Sequence, residues 1–288
     1  MIMIKENFFV KTHGLGNEYV ILNSKEINFD LTNELIKRIC NVHYGIGSDG
    51  ILLKVPSNKA DFGLRIFNPD ASEAEKSGNG IRIFAKYLYD YSFAGRKDFT
   101  IETLGGIVNA HVVEEWNGKA FMIKVDMGKP TFIASQIPVT FEKEECFGET
   151  LTIKDKKYHI HCVSVGNPHC TVLIDHLDEE EIKQYGPLIE NHPMFPNRIN
   201  VQFAKVLSRN EVEILIWERG AGFTLASGSS SSAVASVMVK KGLVDKNVTI
   251  KMLGGELKIE LNDDWNIHMT GEVREICSGE LSNELISE

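Results

Sequence analysis

Two short turns carry the residue types that could do chemistry. Ser77-Gly78-Asn79-Gly80 opens an apolar run, IRIFAKYLYDY, and 150 positions later Ser227-Gly228-Ser229-Ser230 opens another, SSAVASVMVKKG. Each turn puts a hydroxyl and a small-residue backbone where a helix begins, and there the first N–H groups lack intrahelical partners and the dipole is positive. Glycine lets such a backbone approach a ligand closely, so each turn suits an anion such as a carboxylate. The plain alternative is that Ser77 and Ser227 are helix N-caps, a role serine commonly fills. Both readings stand for either turn alone; a matched pair favours a ligand site at the interface of two halves.

Further polar residues gather at strand ends and glycine turns rather than on amphipathic faces: Asn17, Asn68, Asn167, Asn200 and the pair Glu218-Arg219. Several amides and one guanidinium suit an amino acid, whose carboxylate needs donors and whose ammonium needs acceptors. Taken singly, each Asn is an ordinary turn residue. A two-fold site with one acid/base on each face fits one reaction class, in which a proton leaves one side of an α-carbon and returns to the other while helix N-termini stabilise the developing charge. Neither a Walker loop nor a pyridoxal phosphate lysine signature is visible, and the His, Cys, Asp and Glu spacings do not read as a metal site. We therefore expect no cofactor and no metal. His161-Cys162 and His169-Cys170 would suggest a metal, but each pair sits in an alternating strand whose neighbours point to opposite faces.

The elements that position these residues also repeat. Gly16-Asn17 precedes EYVILN, and Gly166-Asn167 precedes PHCTVLID at the same offset of 150. Phe67-Asn68 ends DFGLRIF as Trp217-Glu218 ends EVEILIW, and Leu104-Gly105-Gly106 breaks a hairpin as Leu253-Gly254-Gly255 does. Most strand candidates are short and alternate apolar with polar residues, which suits antiparallel sheets with one solvated face. The run from Ile81 to Tyr91 is apolar on nearly every side, as expected of a helix wrapped by sheet. The expected fold is α/β in the α+β sense: two similar pseudo-symmetric halves, residues 1–130 and 131–288, each a mostly antiparallel sheet around a central helix. Met127-Gly128-Lys129-Pro130 reads as the hinge. The last strand is free, on sequence grounds, to return to the first half.

Composition narrows the function classes. The chain has 288 residues, 31 Lys+Arg against 40 Asp+Glu, a net charge of −9 and 43% hydrophobic residues. Acidic character without basic clusters argues against nucleic acid and anionic membranes as partners and favours small molecules. Apolar stretches fall far short of the roughly 20 residues a membrane helix needs. MIMIKENFFVKTHG carries Lys5 and Glu6 where a signal peptide would be apolar, so a cytoplasmic protein with reduced thiols is expected. A homodimer is the default oligomer.

At this point the motifs resemble those of the cofactor-independent diaminopimelate epimerases. The matching segments are KTHGLGNEYVILN, YGIGSDGILL, DFGLRIFNPDASEAEKSGNGIRIFAKYL, VDMGKP, VSVGNPHC, RINVQF, WERGAGFTLASGSSSSA and MTGEVREICSGEL. The resemblance implies paired α/β halves and the inversion of one α-carbon of LL-diaminopimelate to the meso form, in lysine biosynthesis, without pyridoxal phosphate or metal. It also implies an acid/base pair of cysteines at positions that here hold Ser77 and Ser227; Cys40, Cys146, Cys162, Cys170 and Cys277 lie elsewhere. Matching further implies His169 and Glu218 as partners of the first and second acid/base group. It implies Asn17, Asn68, Gly78, Asn79, Asn167, Asn200, Arg219, Gly228 and Ser229 as substrate-holding residues. Gly50 stands where some members have Gln, and Ser230 where the family's second turn more often has Gly. A thiol ionises near pH 8.5, whereas a serine hydroxyl needs an adjacent base. Three readings follow: deliberate Cys→Ser replacements that trap an inactive enzyme, a natural serine variant that still epimerises or racemises an amino acid, and a diverged isomerase, dehydratase or small-acid binding protein using Glu218 or His169.

Overall fold

The structure is a computed structural model that describes residues 6–287; Met1 to Lys5, at the head of the N-terminal segment considered above, lie outside the described residues. The chain divides into two compact units, Met1–Asp126 with Thr270–Glu288, and Met127–Met269.

The first unit runs β1 (Phe8–Gly14), β2 (Asn17–Asn23), α1 (Asn33–Cys40), β3 (Ile51–Val55), β4 (Phe62–Phe67), β5 (Glu73–Ala74), α2 (Gly78–Asp90), β6 (Asp98–Thr103), β7 (Gly106–Trp116) and β8 (Lys119–Gly128). Adjacent pairs are antiparallel except β2–β3 and β4–β6, which are parallel. The second unit holds β9 (Phe147–Ile153), β10 (Lys156–Ser164), β11 (Pro168–Leu173), α3 (Glu179–Glu190), β12 (Asn200–Ser208), β13 (Glu211–Glu218), β14 (Gly222–Thr224), α4 (Gly228–Lys240), β15 (Asn247–Met252) and β16 (Gly255–Leu261). From β10 onward its pairing copies the first unit strand for strand, with β11–β12 and β13–β15 parallel and the rest antiparallel. The repeat seen in the sequence is thus a repeat of topology. Mixed sheets with two parallel pairs each refine the expectation of mostly antiparallel ones.

Strand alternation sorts each sheet into two faces. In the first unit Val20, Leu22, Ile51 and Leu53 pack with Leu35, Ile36 and Ile39 of α1, while α2 lies against β1, β2 and β7. In the second unit Cys170, Val172, Val201 and Phe203 pack with Ile182, Tyr185 and Ile189 of α3, while α4 lies against β10, β11 and β12. Helices α1 and α3 were not foreseen from the apolar pattern. Yet α3 begins with the Asp178 cap and three acidic residues in its first turn, a standard helix start.

Both central helices are buried nearly all round, so their polar residues need internal partners. In α2, Arg82 donates to Asn79 Oδ1 (2.9 Å), and Lys86 reaches Asp90 (2.7 Å) and the Ala120 carbonyl (2.6 Å). In α4, Ser231, Ser232 and Ser236 each return their hydroxyl to the carbonyl four residues earlier, at 2.9, 2.9 and 2.7 Å. Such back-bonding lets a serine run survive in a buried helix without further donors or acceptors.

The chain's first passage through the first unit ends at Asp126, where the sequence led us to expect a boundary at residue 130. After β17 (Ile267–Glu272), β18 (Arg274–Glu280) pairs antiparallel with β1, from Phe8↔Glu280 to His13↔Arg274, so residues 270–288 belong to the first unit and not to a half spanning 131–288. The physical reason is the open edge of β1, whose main-chain groups need partners; in the second unit β9 fills the same place beside β10. Truncation after residue 269 should therefore raise hydrogen exchange across Phe8–Gly14 and leave the Asn247–Leu261 hairpin protected. Unchanged protection of β1 would contradict this assignment.

Candidate active site

Ser77 caps α2 from extended backbone, φ −137° and ψ 118°, and its Oγ accepts the Gly80 N–H at 3.1 Å. The Tyr19 hydroxyl stands 3.4 Å from the same oxygen. Around the turn a directed chain of amides forms: Arg82 donates to Asn79, Asn79 donates to Asn17 Oδ1 (3.1 Å), and Asn17 donates to Asp49 (2.8 Å). Asn17, Gly78 and Asn79 are therefore gathered at the Ser77 turn. Asn68 is not tied to them: its amide donates to Ser72 Oγ (2.9 Å) and closes the 68–72 turn.

Ser227 caps α4 in the same way, φ −148° and ψ 125°, accepting from Ser230 N–H at 3.3 Å, with Ser229 Oγ 3.4 Å away. Gly228 is buried in the first turn. Asn167 donates to Ser229 (3.4 Å) and meets His169 Nε2 at 2.9 Å. Asn200 spans two loops, donating to the Pro168 carbonyl (2.8 Å) and accepting the Arg219 N–H (3.0 Å). The Arg219 guanidinium donates to the Asn197 carbonyl (3.0 Å). Glu218 is half-buried at the end of β13, opposite Gly222.

His169 and Cys170 fall on opposite faces, as alternation requires: Cys170 joins Cys162 in the α3-side core, whereas His169 reaches Gln202, whose amide also meets Ser230 of α4. His161 lies edge-on to Phe147. Burial pushes the His169 pKa down to about 3, with the charge of Arg219 adding to the effect, and burial pushes His161 down to about 4. Both rings are neutral near pH 7. The Cys40 thiol is pushed up by burial, and Cys146 by its neighbour Cys162 and by burial, so both are held as thiols. Among the described residues no group of three His, Cys, Asp or Glu could hold a metal ion, and no helix is long and apolar enough to cross a membrane.

Comparison with known proteins identifies the family. The family described as Diaminopimelate epimerase matches residues 9–133 and 161–276. "Diaminopimelate epimerase 2" of Nostoc sp. is 48% identical over 280 residues, covering 97% of each chain, and a diaminopimelate epimerase of Methanococcus maripaludis is 44% identical over 274 residues, covering 95% of this chain and 99% of its own. The chain belongs to the diaminopimelate epimerase family. A probable proline racemase from Agrobacterium radiobacter shares the fold, with a TM-score of 0.69 at 14% identity over 96% of this chain and 92% of its own.

Three residues in these hydrogen-bond networks escaped the sequence reading. Tyr19 reaches Ser77 because Gly50 leaves room: a Cβ at Gly50 would stand 2.4 Å from the Phe67 carbonyl oxygen and 2.8 Å from the Tyr19 ring. The position that holds Gln in some members has no space here for any side chain. Gln202 contacts His169 from β12, where its neighbours Val201 and Phe203 are buried apolar residues. Glu190, buried at the end of α3, accepts from Trp217 Nε1 (2.7 Å), Gly220 N–H (3.0 Å) and Arg198 (3.1 Å), and so pins the end of β13, with Glu218, and the turn after it, with Arg219. The sequence signal for Glu190 was slight, a lone acid ending an amphipathic helix.

Two outcomes follow. Glu190→Ala should cost about 2–3 kcal/mol, the scale of lost hydrogen bonds to a buried charge, and shift Trp217 emission; unchanged stability and emission would refute the pinning role. For His161 and His169 the folded pKa lies below the unfolded 6.5. The unfolded chain then binds more protons, and stability is lost as pH falls from about 6.5 toward 3. Melting temperatures across that window should fall, and His161→Phe should make the fall shallower.

Proposed function

We propose that this chain is a cofactor-independent epimerase acting on diaminopimelate, with Ser77 and Ser227 in the places of the acid/base pair. The observation that carries the reading is the pair of serine-capped helix starts at equivalent points of two units with the same strand wiring, in a chain of this family. The reaction takes the α-proton from one face of the carbon and returns a proton to the other, so no net proton is gained or lost. Unpaired N–H groups in the first turns of α2 and α4 suit a carboxylate and the charge that spreads into it as the α-carbon loses its proton. Asn17, Asn79, Asn167 and Ser229 supply oriented amide and hydroxyl groups beside the caps, with Arg219 as a cation for a second carboxylate. Asn68 and Asn200 act less directly in this proposal, since their amides already hold turns and loops.

The serines set the rate. At a helix start a thiol's pKa drops toward neutrality, but a hydroxyl remains a poor base without a partner that takes its proton. His169 is a weak candidate for that partner, because burial makes its ring a poor proton acceptor and both ring nitrogens are already hydrogen-bonded. Glu218 is the better one, half-buried and acidic. The substrate is a free small molecule, and the five free thiols suit the reducing cytoplasm.

Incubation with LL-diaminopimelate in deuterated water should give slow α-deuterium incorporation and formation of the meso isomer, read by NMR. The double variant Ser77→Cys and Ser227→Cys should raise the exchange rate by about 10²-fold or more, the contribution of a well-matched acid/base group. Binding without exchange in both proteins would favour a small-acid binding protein; neither binding nor exchange would end the epimerase reading.

A further inference from the structure

Gln202 lies in β12 with no solvent exposure, opposite Thr171 in the parallel register that also sets Asn200 opposite His169. Its neighbours Val201 and Phe203 point to the α3-side core. Its own side chain points the other way, toward α4, where an apolar residue would satisfy packing alone. Instead its Nε2 stands 3.0 Å from His169 Nδ1 and 3.0 Å from Ser230 Oγ, while its Oε1 is buried without a hydrogen-bond partner.

That arrangement is directional. An amide nitrogen donates and does not accept, so His169 Nδ1 must present its lone pair and the ring proton must sit on Nε2. Nε2 then donates to Asn167 Oδ1 at 2.9 Å, which turns the Asn167 NH2 toward Ser229 Oγ, beside the Ser227 cap. The opposite orientation of Gln202 would bury an amide N–H without an acceptor, and orphaned donors are rarer in folded proteins than under-satisfied carbonyls. The serine run contributes here as well: the Ser230 hydroxyl gives the second N–H of Gln202 its acceptor.

We propose that Gln202 is a positioning residue of the candidate site: it holds His169 as the neutral Nε2–H tautomer and thereby points the Asn167 amide donor at the Ser227 turn. The chain Gln202→His169→Asn167→Ser229 makes His169 a relay of orientation rather than a base. Its enclosed, neutral ring agrees with that role, since burial holds the imidazole uncharged well below pH 6.5. The ligand class is the one already proposed, an amino-acid carboxylate at the α4 N-terminus, and the inference rests on that reading for its functional part. The tautomer stands on hydrogen-bond geometry alone.

The test uses the full chain labelled with 15N-histidine. In the unsubstituted protein, His169 should show a protonated Nε2 and an unprotonated Nδ1. Gln202→Glu replaces the donor with an acceptor and should move the proton to Nδ1. Gln202→Leu, which keeps the packing and removes the donor, should leave a mixture of tautomers. Diaminopimelate affinity, measured by calorimetry, should fall about tenfold in Gln202→Glu and less in Gln202→Leu. An Nδ1–H tautomer in the unsubstituted protein would overturn the proposal without any variant having to fold. Expected tautomers with equal affinity in all three proteins would overturn the positioning role. Expected tautomers with no diaminopimelate binding to the unsubstituted protein would overturn the reading of the site, and the positioning role with it, while the hydrogen-bond assignment stood.

Discussion

The structure depends on one constraint: a helix buried on all sides still has N-terminal amides that must be satisfied. Helices α2 and α4 are such helices, each surrounded by sheet and each starting at a serine whose Oγ accepts a main-chain N–H from within its first turn. One hydroxyl cannot satisfy every amide of a first turn. The remaining N–H groups make each helix start a place where an anion is favoured, and the candidate chemistry sits where the fold is least complete. The N-cap role of Ser77 and Ser227 is therefore compatible with the proposed functional one.

Around each cap, polar side chains are held by partners of fixed polarity. In the first unit the direction starts at Arg82, whose guanidinium can only donate, and passes through Asn79 and Asn17 to Asp49. In the second unit it starts at an amide, Gln202, and passes through His169 and Asn167. The two units share their strand wiring but not the charge behind their turns: a buried cation stands behind one, and neutral groups behind the other. The two units therefore share the geometry of the helix start and differ in the electrostatics beneath it.

The serines themselves follow from the same logic. In α4 the hydroxyls of Ser231, Ser232 and Ser236 are absorbed by carbonyls of the preceding turn, so they are structurally silent. Ser227, Ser229 and Ser230 are not absorbed in that way; their hydroxyls face the cap, Asn167 and Gln202. A run that looks uniform in sequence thus divides into a structural part and a part that meets the candidate site, and only the helix geometry draws the line.

Much of this was legible beforehand. The offset of 150 between the two Ser-Gly turns, and the Gly-Asn and Leu-Gly-Gly turns around them, determined that the chain holds two similar units each built on one buried helix, because glycine turns and hydrophobic periodicity are local properties. Strand alternation alone separated His169 from Cys170 and His161 from Cys162. What the sequence could not determine was set by contacts between residues far apart in the chain. The return of residues 270–288 to the first unit depends on an open edge of β1 more than 260 positions away. The partners of the Asn68 and Asn200 amides, Ser72, Pro168 and Arg219, were likewise fixed only by folding. Tyr19, Glu190 and Gln202 matter because strands and helices bring them to Ser77, the 217–220 loop and His169. Local pattern specifies elements and their faces; which polar atom meets which is decided only when the sheets close around their helices.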